Sequence, residues 1–123
     1  MWFSIGSLKK SFHYAWNGLK YTFQHEQNFR LHLIITAIVL GMMFLFSVKQ
    51  WEAVALIFVI VAVLILEIMN TIFERFVDLL MPRLNHYSEI IKDMMAAAVF
   101  LASAGAAIVG FIIFYPYIVV LIF

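Results

Sequence analysis

Hydrophobic and polar positions follow two different patterns along the chain. Three long apolar runs cover about residues 31–48, 53–73 and 94–115, and His32 interrupts the first of them. Each run is long enough to cross the ~30 Å hydrocarbon core of a bilayer as an α-helix. Before these runs, over about residues 2–24, apolar residues recur every three or four positions with lysines between them. This second pattern predicts an amphipathic helix that lies at the membrane interface.

The composition leaves no room for a soluble domain. Of 123 residues, 66% are hydrophobic and 12% are charged, with a mean hydropathy of +1.03. We therefore expect an all-α membrane protein in which residues 1–123 form a single membrane-embedded domain. Cysteine is absent, which excludes disulfides, thiolate catalysis and cysteine-based zinc sites. The first lysines follow apolar residues instead of preceding them, so we expect no cleaved signal peptide.

The basic residues predict an orientation. Four precede the first run, one separates the first two runs, and three separate the last two: Lys9, Lys10, Lys20 and Arg30; Lys49; Arg75, Arg83 and Lys92. Basic residues are enriched in cytoplasmic loops. We therefore predict a multi-pass protein of the cell membrane with a cytoplasmic N-terminus and an external C-terminus.

Four polar side chains follow the second apolar run in the stretch "EIMNTIFERFVD". If the helix continues, Glu67, Asn70, Glu74 and Asp78 fall within an arc of roughly 80°. A carboxylate near the lipid boundary is costly and should face protein or water, which makes Glu67 a functional candidate. In the alternative interpretation, the first two residues join helices by hydrogen bonds and the last two are solvated charges. We favour the first, because helix packing does not require three aligned carboxylates.

Further charged residues are predicted at the same membrane face. Glu26 precedes the first run, and Lys92 and Asp93 precede the third. Carboxylates suit magnesium, which typically uses one or two of them together with substrate phosphates and waters. A lysine can contact a transferred phosphoryl group as a point charge. The pattern indicates a phosphoryl-transfer site whose acceptor comes from the bilayer.

Specific motifs then resemble a known family. The pattern E-I-M-N-T-x-x-E-x-x-V-D begins at Glu67, and K-D-x-x-A-A-A-V begins at Lys92. Together with "AWNGLKYTFQHEQNFRLH" and "GFIIFYP", they resemble the prokaryotic integral-membrane lipid kinases, the diacylglycerol kinase and undecaprenol kinase family, and most of all its undecaprenol kinase branch. No G-x-x-x-x-G-K-[ST] loop or protein-kinase motif is present in the sequence, and nothing indicates a nucleic-acid partner.

This resemblance implies a homotrimer of three-span subunits, with composite active sites between helices at the cytoplasmic surface of a bacterial membrane. It implies ATP- and magnesium-dependent phosphorylation of a membrane lipid hydroxyl, with undecaprenol converted to undecaprenyl phosphate. The first alternative is a diacylglycerol kinase that makes phosphatidic acid. Alternatives of another class are a non-catalytic small membrane assembly protein and a cation transporter. Transport is disfavoured because the polar groups stay near one face.

The resemblance also implies a role for each site residue. Glu67 resembles the general base for the lipid hydroxyl, and Asn70 helps to orient it. The remaining roles are magnesium binding by Glu26 and Glu74, contact with the transferred phosphate by Lys92, lining of the nucleotide site by Asp78 and Asp93, and contact with ATP by Lys10 and Tyr14. The four histidines are interpreted as interfacial or packing residues. Departures from the family pattern that bear on pocket shape are Ile72, Phe73, Asn85, Ile91 and Ala97.

Overall fold

Four α-helices make up the part of the chain that the structure describes. The computed structural model describes residues 2–80 and 86–123, so Arg83 and Asn85 lie outside the described residues. The helices are α1 (Ile5–His25), α2 (Gln27–Phe46), α3 (Gln50–Leu80) and α4 (His86–Ile122), and the described ranges contain no strand. Within those ranges, α2, α3 and α4 are long and apolar enough to cross a membrane. The predicted all-α fold with three spans is confirmed.

Helix α1 is the predicted amphipathic helix, and it starts three residues later than expected. Ser4 caps it, because the Ser4 hydroxyl accepts a 3.3 Å hydrogen bond from the Ser7 amide. At the other end, Arg30 donates to the carbonyls of Phe23 (2.8 Å) and Gln24 (3.2 Å). Its apolar residues remain exposed in the single chain. This exposure agrees with a helix that rests on lipid or on another subunit.

A tight turn separates α2 from α3. Ser47 adopts a left-handed conformation (φ 48°), and the Val48 amide donates to the Met43 carbonyl at 3.3 Å. Helix α2 therefore ends at Phe46, two residues before the predicted end of the first span. The Lys49 amide then donates to the Glu52 carboxylate at 2.9 Å, which satisfies one free amide at the start of α3.

Aromatic packing joins this turn to the end of α4. Glu52 also accepts a hydrogen bond from the Tyr117 hydroxyl, and the Tyr117 ring stacks on Phe46 at 5.7 Å. The buried core next to them contains Leu56, Ile113 and Phe114. Helix α4 continues through Pro116 to Ile122, beyond the predicted end of the third span at residue 115. No role for Glu52 is predicted from the sequence.

The helix directions place the polar residues of three segments together. Helices α2 and α4 begin, and α3 ends, at the same end of the bundle, which we call the carboxylate end. Contacts between α2 and α3 and between α3 and α4 define it, namely His32 with Glu67 and Asp78 with Lys92. The Glu52–Tyr117 hydrogen bond lies at the opposite end. The predicted clustering of site residues at one face therefore follows from the topology.

Candidate functional site

Glu67 is the most deeply buried carboxylate of the carboxylate end. It lies on the face of α3 that packs against α2 and α4, and only 2% of its surface is exposed. One of its oxygens lies 3.1 Å from His32 Nε2, and the His32 side chain is 20% exposed. A buried carboxylate must be paired or hydrogen-bonded to be tolerated. His32 on α2 supplies that partner, although the sequence analysis interpreted this histidine as an interfacial or packing residue.

Asn70 and Glu74 continue the polar face one turn at a time. Their spacing from Glu67 places them on the same side of α3. Asn70 Nδ2 donates to Glu74 Oε1 at 3.5 Å, while the Thr71 hydroxyl donates to the Glu67 backbone carbonyl at 3.1 Å. Asn70 was predicted to orient Glu67. The hydrogen bond that it makes is to Glu74, and the carboxylate of Glu67 contacts His32 instead.

Arg75 connects this face to the interfacial helix. Its Nη2 atom lies 3.6 Å from Glu26 Oε1, and its Nε atom donates to the Tyr21 hydroxyl at 3.0 Å. The guanidinium carbon also lies 5.8 Å from the centre of the Tyr21 ring. Glu26 occupies the single extended residue between α1 and α2. Arg75 thus pairs α3 with Glu26, and the Arg75 charge also interacts with Glu74.

Lys92 and Asp78 form the contact between α3 and α4. The Lys92 Nζ atom lies 2.8 Å from Asp78 Oδ1, and both side chains are partly exposed. The two groups carry opposite charges at neutral pH, so this contact is an ion pair. Lys92 also interacts electrostatically with Glu74. Two cations, Arg75 and Lys92, therefore both interact electrostatically with the Glu74 carboxylate.

The other predicted nucleotide residues lie at the periphery. Asp93 is exposed beside Lys92 at the start of α4. Lys10 and Tyr14 are exposed in the middle of α1. Among the described residues, the structure brings neither of these two into contact with the carboxylates of α3. A nucleotide that contacted Asp93, Lys10 and Tyr14 would have to extend from α4 across the end of the bundle to α1.

Two neighbouring cavities share His32 and Ser103, and Glu67 lines one of them. The first, a cleft of about 390 Å³, is lined by the polar face of α3 and by residues of α2 and α4, including Asn28 and Phe100. The second, of about 440 Å³, runs along the apolar sides of α2, α3 and α4 from His32 and Ser103 to Phe114 and Ile118. His32 and Ser103 line both cavities. A long apolar molecule with a polar end could therefore present that end to Glu67.

The four family departures among the described residues do not line these two cavities. Ile72 and Phe73 lie on an exposed side of α3, and Ala97 is exposed on α4, while Ile91 lies before the part of α4 that lines the cleft. These four residues therefore do not shape the walls of either cavity directly. Asn85, the fifth departure, lies outside the described residues.

Glu26 and Glu74 fit the chemistry expected for magnesium. Within residues 2–80 and 86–123, no three histidine or acidic side chains come together as a protein-only metal site. Magnesium does not require one, because it is commonly bound by one or two carboxylates with phosphates and waters. Glu74 lines the polar cleft and Glu26 comes from a separate segment, and Arg75 pairs with Glu26 and interacts electrostatically with Glu74.

Sequence comparisons identify the family. The model described as prokaryotic diacylglycerol kinase matches residues 13–114, most of the chain. The chain belongs to this family. It is similar to a diacylglycerol kinase of Synechocystis (36% identical over 110 residues), an undecaprenol kinase of Bacillus subtilis (32% over 109 residues) and a diacylglycerol kinase of Haemophilus influenzae (30% over 103 residues). These alignments cover 89%, 87% and 83% of the chain.

The lengths of the relatives differ from that of the chain. The chain spans 63% of the Synechocystis protein and 87% of each of the other two. All three relatives carry the name of a lipid kinase, which favours the kinase prediction over the non-catalytic alternatives. Membership of this family together with three apolar helices identifies a bacterial membrane protein. The relatives carry two different substrate names at similar identity, so the family does not select one lipid.

Sequence reasoning missed three residues that the geometry brings into the site. His32 is the only interruption of the first apolar run, and a lone histidine in such a run could have indicated a buried polar partner. Arg75 lies off the polar stripe of α3, and no sequence pattern connects it to Tyr21 and Glu26. Ser103 lies among small residues of α4 that indicated only helix packing. The contacts of His32 and Arg75 are with other segments of the chain, and Ser103 joins the site through the cavities that it lines.

Proposed function

We propose that this protein transfers the γ-phosphoryl group of ATP to the hydroxyl group of a membrane lipid, in a reaction that requires magnesium. The observation that carries the proposal is the position of Glu67, a buried carboxylate that lines a polar cleft and contacts His32, one of the two residues that this cleft shares with a long apolar cavity. A hydrophobic acceptor and a charged donor require those two environments side by side. The named lipid kinases among the relatives support the same reaction.

In the proposed reaction the lipid hydroxyl oxygen attacks the γ-phosphorus of ATP. A bond forms between this oxygen and phosphorus, the bond to the oxygen that bridges the β- and γ-phosphates breaks, and ADP leaves. The hydroxyl proton passes to the Glu67 carboxylate, which acts as general base. His32, 3.1 Å from that carboxylate, holds it toward the junction of the cavities. Phosphoryl transfer depends mainly on positioning and neutralisation of charge, so a few aligned side chains are sufficient.

The charged residues around the cleft would bind the donor. Glu26 and Glu74 would hold magnesium, which when bound neutralises charge on the β- and γ-phosphates. Lys92 would meet the transferred phosphoryl group, since its ammonium group is held by Asp78 and interacts electrostatically with Glu74. Asp93, Lys10 and Tyr14 complete the set of proposed nucleotide contacts. Asn70 keeps Glu74 on the cleft side of α3 through their hydrogen bond.

The site also suggests an orientation and an assembly. ATP is cytoplasmic, so the carboxylate end would face the cytoplasm and the C-terminus would face outward, in agreement with the distribution of basic residues. The exposed apolar sides of α1, α2 and α4 leave room for lipid and for further copies of the chain. We propose the homotrimer that the family resemblance implies. Each site would then be completed between neighbouring subunits.

Undecaprenol is the first choice of acceptor, which would make undecaprenyl phosphate the product. The stretches "EQNFRLH" and "IIFYP" resemble the undecaprenol kinase branch, and a relative of that name is 32% identical. Diacylglycerol, converted to phosphatidic acid, is the second choice, and two relatives carry that name. Both lipids present a primary hydroxyl at the end of a long apolar body.

The direct experiment measures phosphate transfer from labelled ATP by the purified protein in mixed micelles. Undecaprenol and diacylglycerol are offered in parallel, with and without magnesium. We expect magnesium-dependent labelling of a lipid alcohol, with undecaprenol preferred. We also expect Glu67→Gln to lower kcat by about 10²- to 10⁴-fold, because the amide keeps the size of the side chain but cannot accept the proton.

Glu89→Gln is the matched control, since it removes an exposed carboxylate from the start of α4. Its kcat should stay within twofold of wild type. Nucleotide binding and oligomeric state should be unchanged in both variants. Full turnover by Glu67→Gln would remove this residue from the mechanism. Folded wild-type protein that labels neither lipid would contradict the proposed reaction.

A further inference from the structure

The hydroxyl of Ser103 differs from other hydroxyls in the helices. Ser11, Thr22, Thr36 and Thr71 each donate to the backbone carbonyl four residues earlier, at 2.7–3.2 Å. This local bond is the usual way to satisfy a hydroxyl inside a helix. Ser103 Oγ is covered by the surrounding atoms, and it has no hydrogen-bond partner among the described residues. A buried hydroxyl without a partner lowers stability. The unpaired Ser103 hydroxyl therefore indicates that its hydrogen-bond partner is a bound molecule.

Ser103 lies where the two cavities meet. It lines the polar cleft together with Glu67, and it lines the end of the apolar cavity together with His32. From Ser103 the apolar cavity extends along α4 to Ile118, a distance of about 22 Å at 1.5 Å per residue. This is most of the ~30 Å thickness of a bilayer core. The volume of the cavity, about 440 Å³, lies within the range of ligand-binding sites.

The chemistry of the two cavities restricts what the missing partner can be. The walls of the long cavity are apolar except near His32, Thr36 and Ser103, and the Thr36 hydroxyl is already bonded to a backbone carbonyl. The polar groups with free capacity are therefore concentrated at the Glu67 end. A matching molecule is apolar along its length and has a hydroxyl group at one end. A lipid alcohol has this construction.

We propose that Ser103 binds the acceptor hydroxyl, with the part of the acceptor's hydrocarbon chain next to that hydroxyl in the cavity between α2, α3 and α4. This inference rests on the proposed lipid kinase function and names the residue that recognises its substrate. Ser103 donates a hydrogen bond to the lipid oxygen, while the lipid hydroxyl donates to Glu67. A serine hydroxyl can rotate among staggered positions to make this bond. The lipid oxygen is then fixed by two side chains on different helices.

The test compares Ser103→Ala with wild type in the mixed-micelle assay. Loss of one neutral hydrogen bond should raise the KM for undecaprenol by about 3- to 10-fold, and the KM for ATP should not change. The thermal stability of the lipid-free protein should be unchanged or higher, because the variant removes an unpaired buried hydroxyl. Ser11→Ala deletes a hydroxyl of the same kind on exposed α1 and should leave both KM values unchanged.

A substrate analogue separates recognition of the hydroxyl from packing. The matching polyprenyl hydrocarbon, which lacks the hydroxyl group, should inhibit wild type and Ser103→Ala competitively and with equal inhibition constants. Removing the hydroxyl from Ser103 and from the ligand, singly and together, forms a double-mutant cycle that measures the hydrogen bond between these two groups. Lower thermal stability of Ser103→Ala with weaker inhibition by the hydrocarbon would identify a packing residue and overturn the inference.

The outcomes also separate this inference from the proposed function. If the wild-type protein phosphorylates undecaprenol and Ser103→Ala does so with the same lipid KM, the role of Ser103 is refuted and the kinase function stands. If the folded wild-type protein phosphorylates no lipid alcohol, the proposed function is refuted, and the inference about Ser103 fails with it.

Discussion

Replacement of His32 should show how Glu67, the proposed general base, is held in place. His32 Nε2 lies 3.1 Å from the Glu67 carboxylate, whose side chain is 3% exposed, and no other side-chain partner of that carboxylate is seen among the described residues. His32→Leu removes the contact and leaves a buried carboxylate alone. His32→Gln is the conservative change, because the glutamine amide can still donate a hydrogen bond.

The magnitude follows from the geometry. A hydrogen bond to a charged group contributes about 1.5–3 kcal/mol to stability. Because the His32 side chain is 20% exposed, water can partly replace it, and we expect a loss near 1.5 kcal/mol for His32→Leu. A catalytic group displaced by about 1 Å can cost up to ~100-fold in rate. We therefore expect kcat to fall by about 10- to 100-fold in His32→Leu and by less than 10-fold in His32→Gln.

The assay measures kcat and both KM values in mixed micelles, with thermal unfolding in the same detergent. The KM for ATP should remain close to wild type, since His32 faces Glu67 and not the charged residues at the end of the cleft. His13→Gln, on exposed α1, is the matched control and should behave as wild type. If folded His32→Leu keeps its kcat within twofold of wild type, the positioning role assigned to His32 is refuted.

Two further predictions concern contacts between helices. Arg75→Leu removes the bonds to Tyr21 and Glu26, so limited proteolysis at the junction of α1 and α2 should become about fivefold faster, and an unchanged cleavage rate would contradict the anchoring role. Glu52→Ala should lower the apparent Tm by about 4 °C or more while leaving the KM for ATP unchanged, because Glu52 joins α3 to Tyr117 at the end away from the site. Adding Tyr117→Phe should have little further effect, and fully additive losses would show that the two side chains act independently.

Much of the fold could be predicted from hydrophobic patterning, because each span must satisfy its own backbone in lipid. The three apolar runs correspond to α2, α3 and α4, and the amphipathic pattern corresponds to α1. The predicted ends of the helices are less accurate than their number and order. The left-handed conformation of Ser47 ends α2 earlier than predicted, and α4 continues through Pro116 beyond its predicted end. The length of an apolar run and the position of a proline do not by themselves determine where a helix ends.

The polar stripe of α3 could also be predicted from the sequence. Helical spacing alone brings Asn70 and Glu74 to the same face as Glu67, and the hydrogen bond between the first two agrees with this. Contacts that cross between helices carry no such periodic signal. His32 with Glu67, Arg75 with Tyr21, and Glu52 with Tyr117 are separated by 35, 54 and 65 positions in the chain.

The sequence by itself determined that the chain is a membrane-embedded helical protein with acidic and basic residues gathered at one face. These properties depend on composition and on local helical periodicity, which are fixed by neighbouring residues. Only the tertiary structure decided that His32 pairs with Glu67, that Arg75 draws Glu26 toward α3, and that Ser103 lies between a polar and an apolar cavity. Such pairs depend on the rotation and depth at which separate helices pack, and those follow from side-chain packing across the whole bundle.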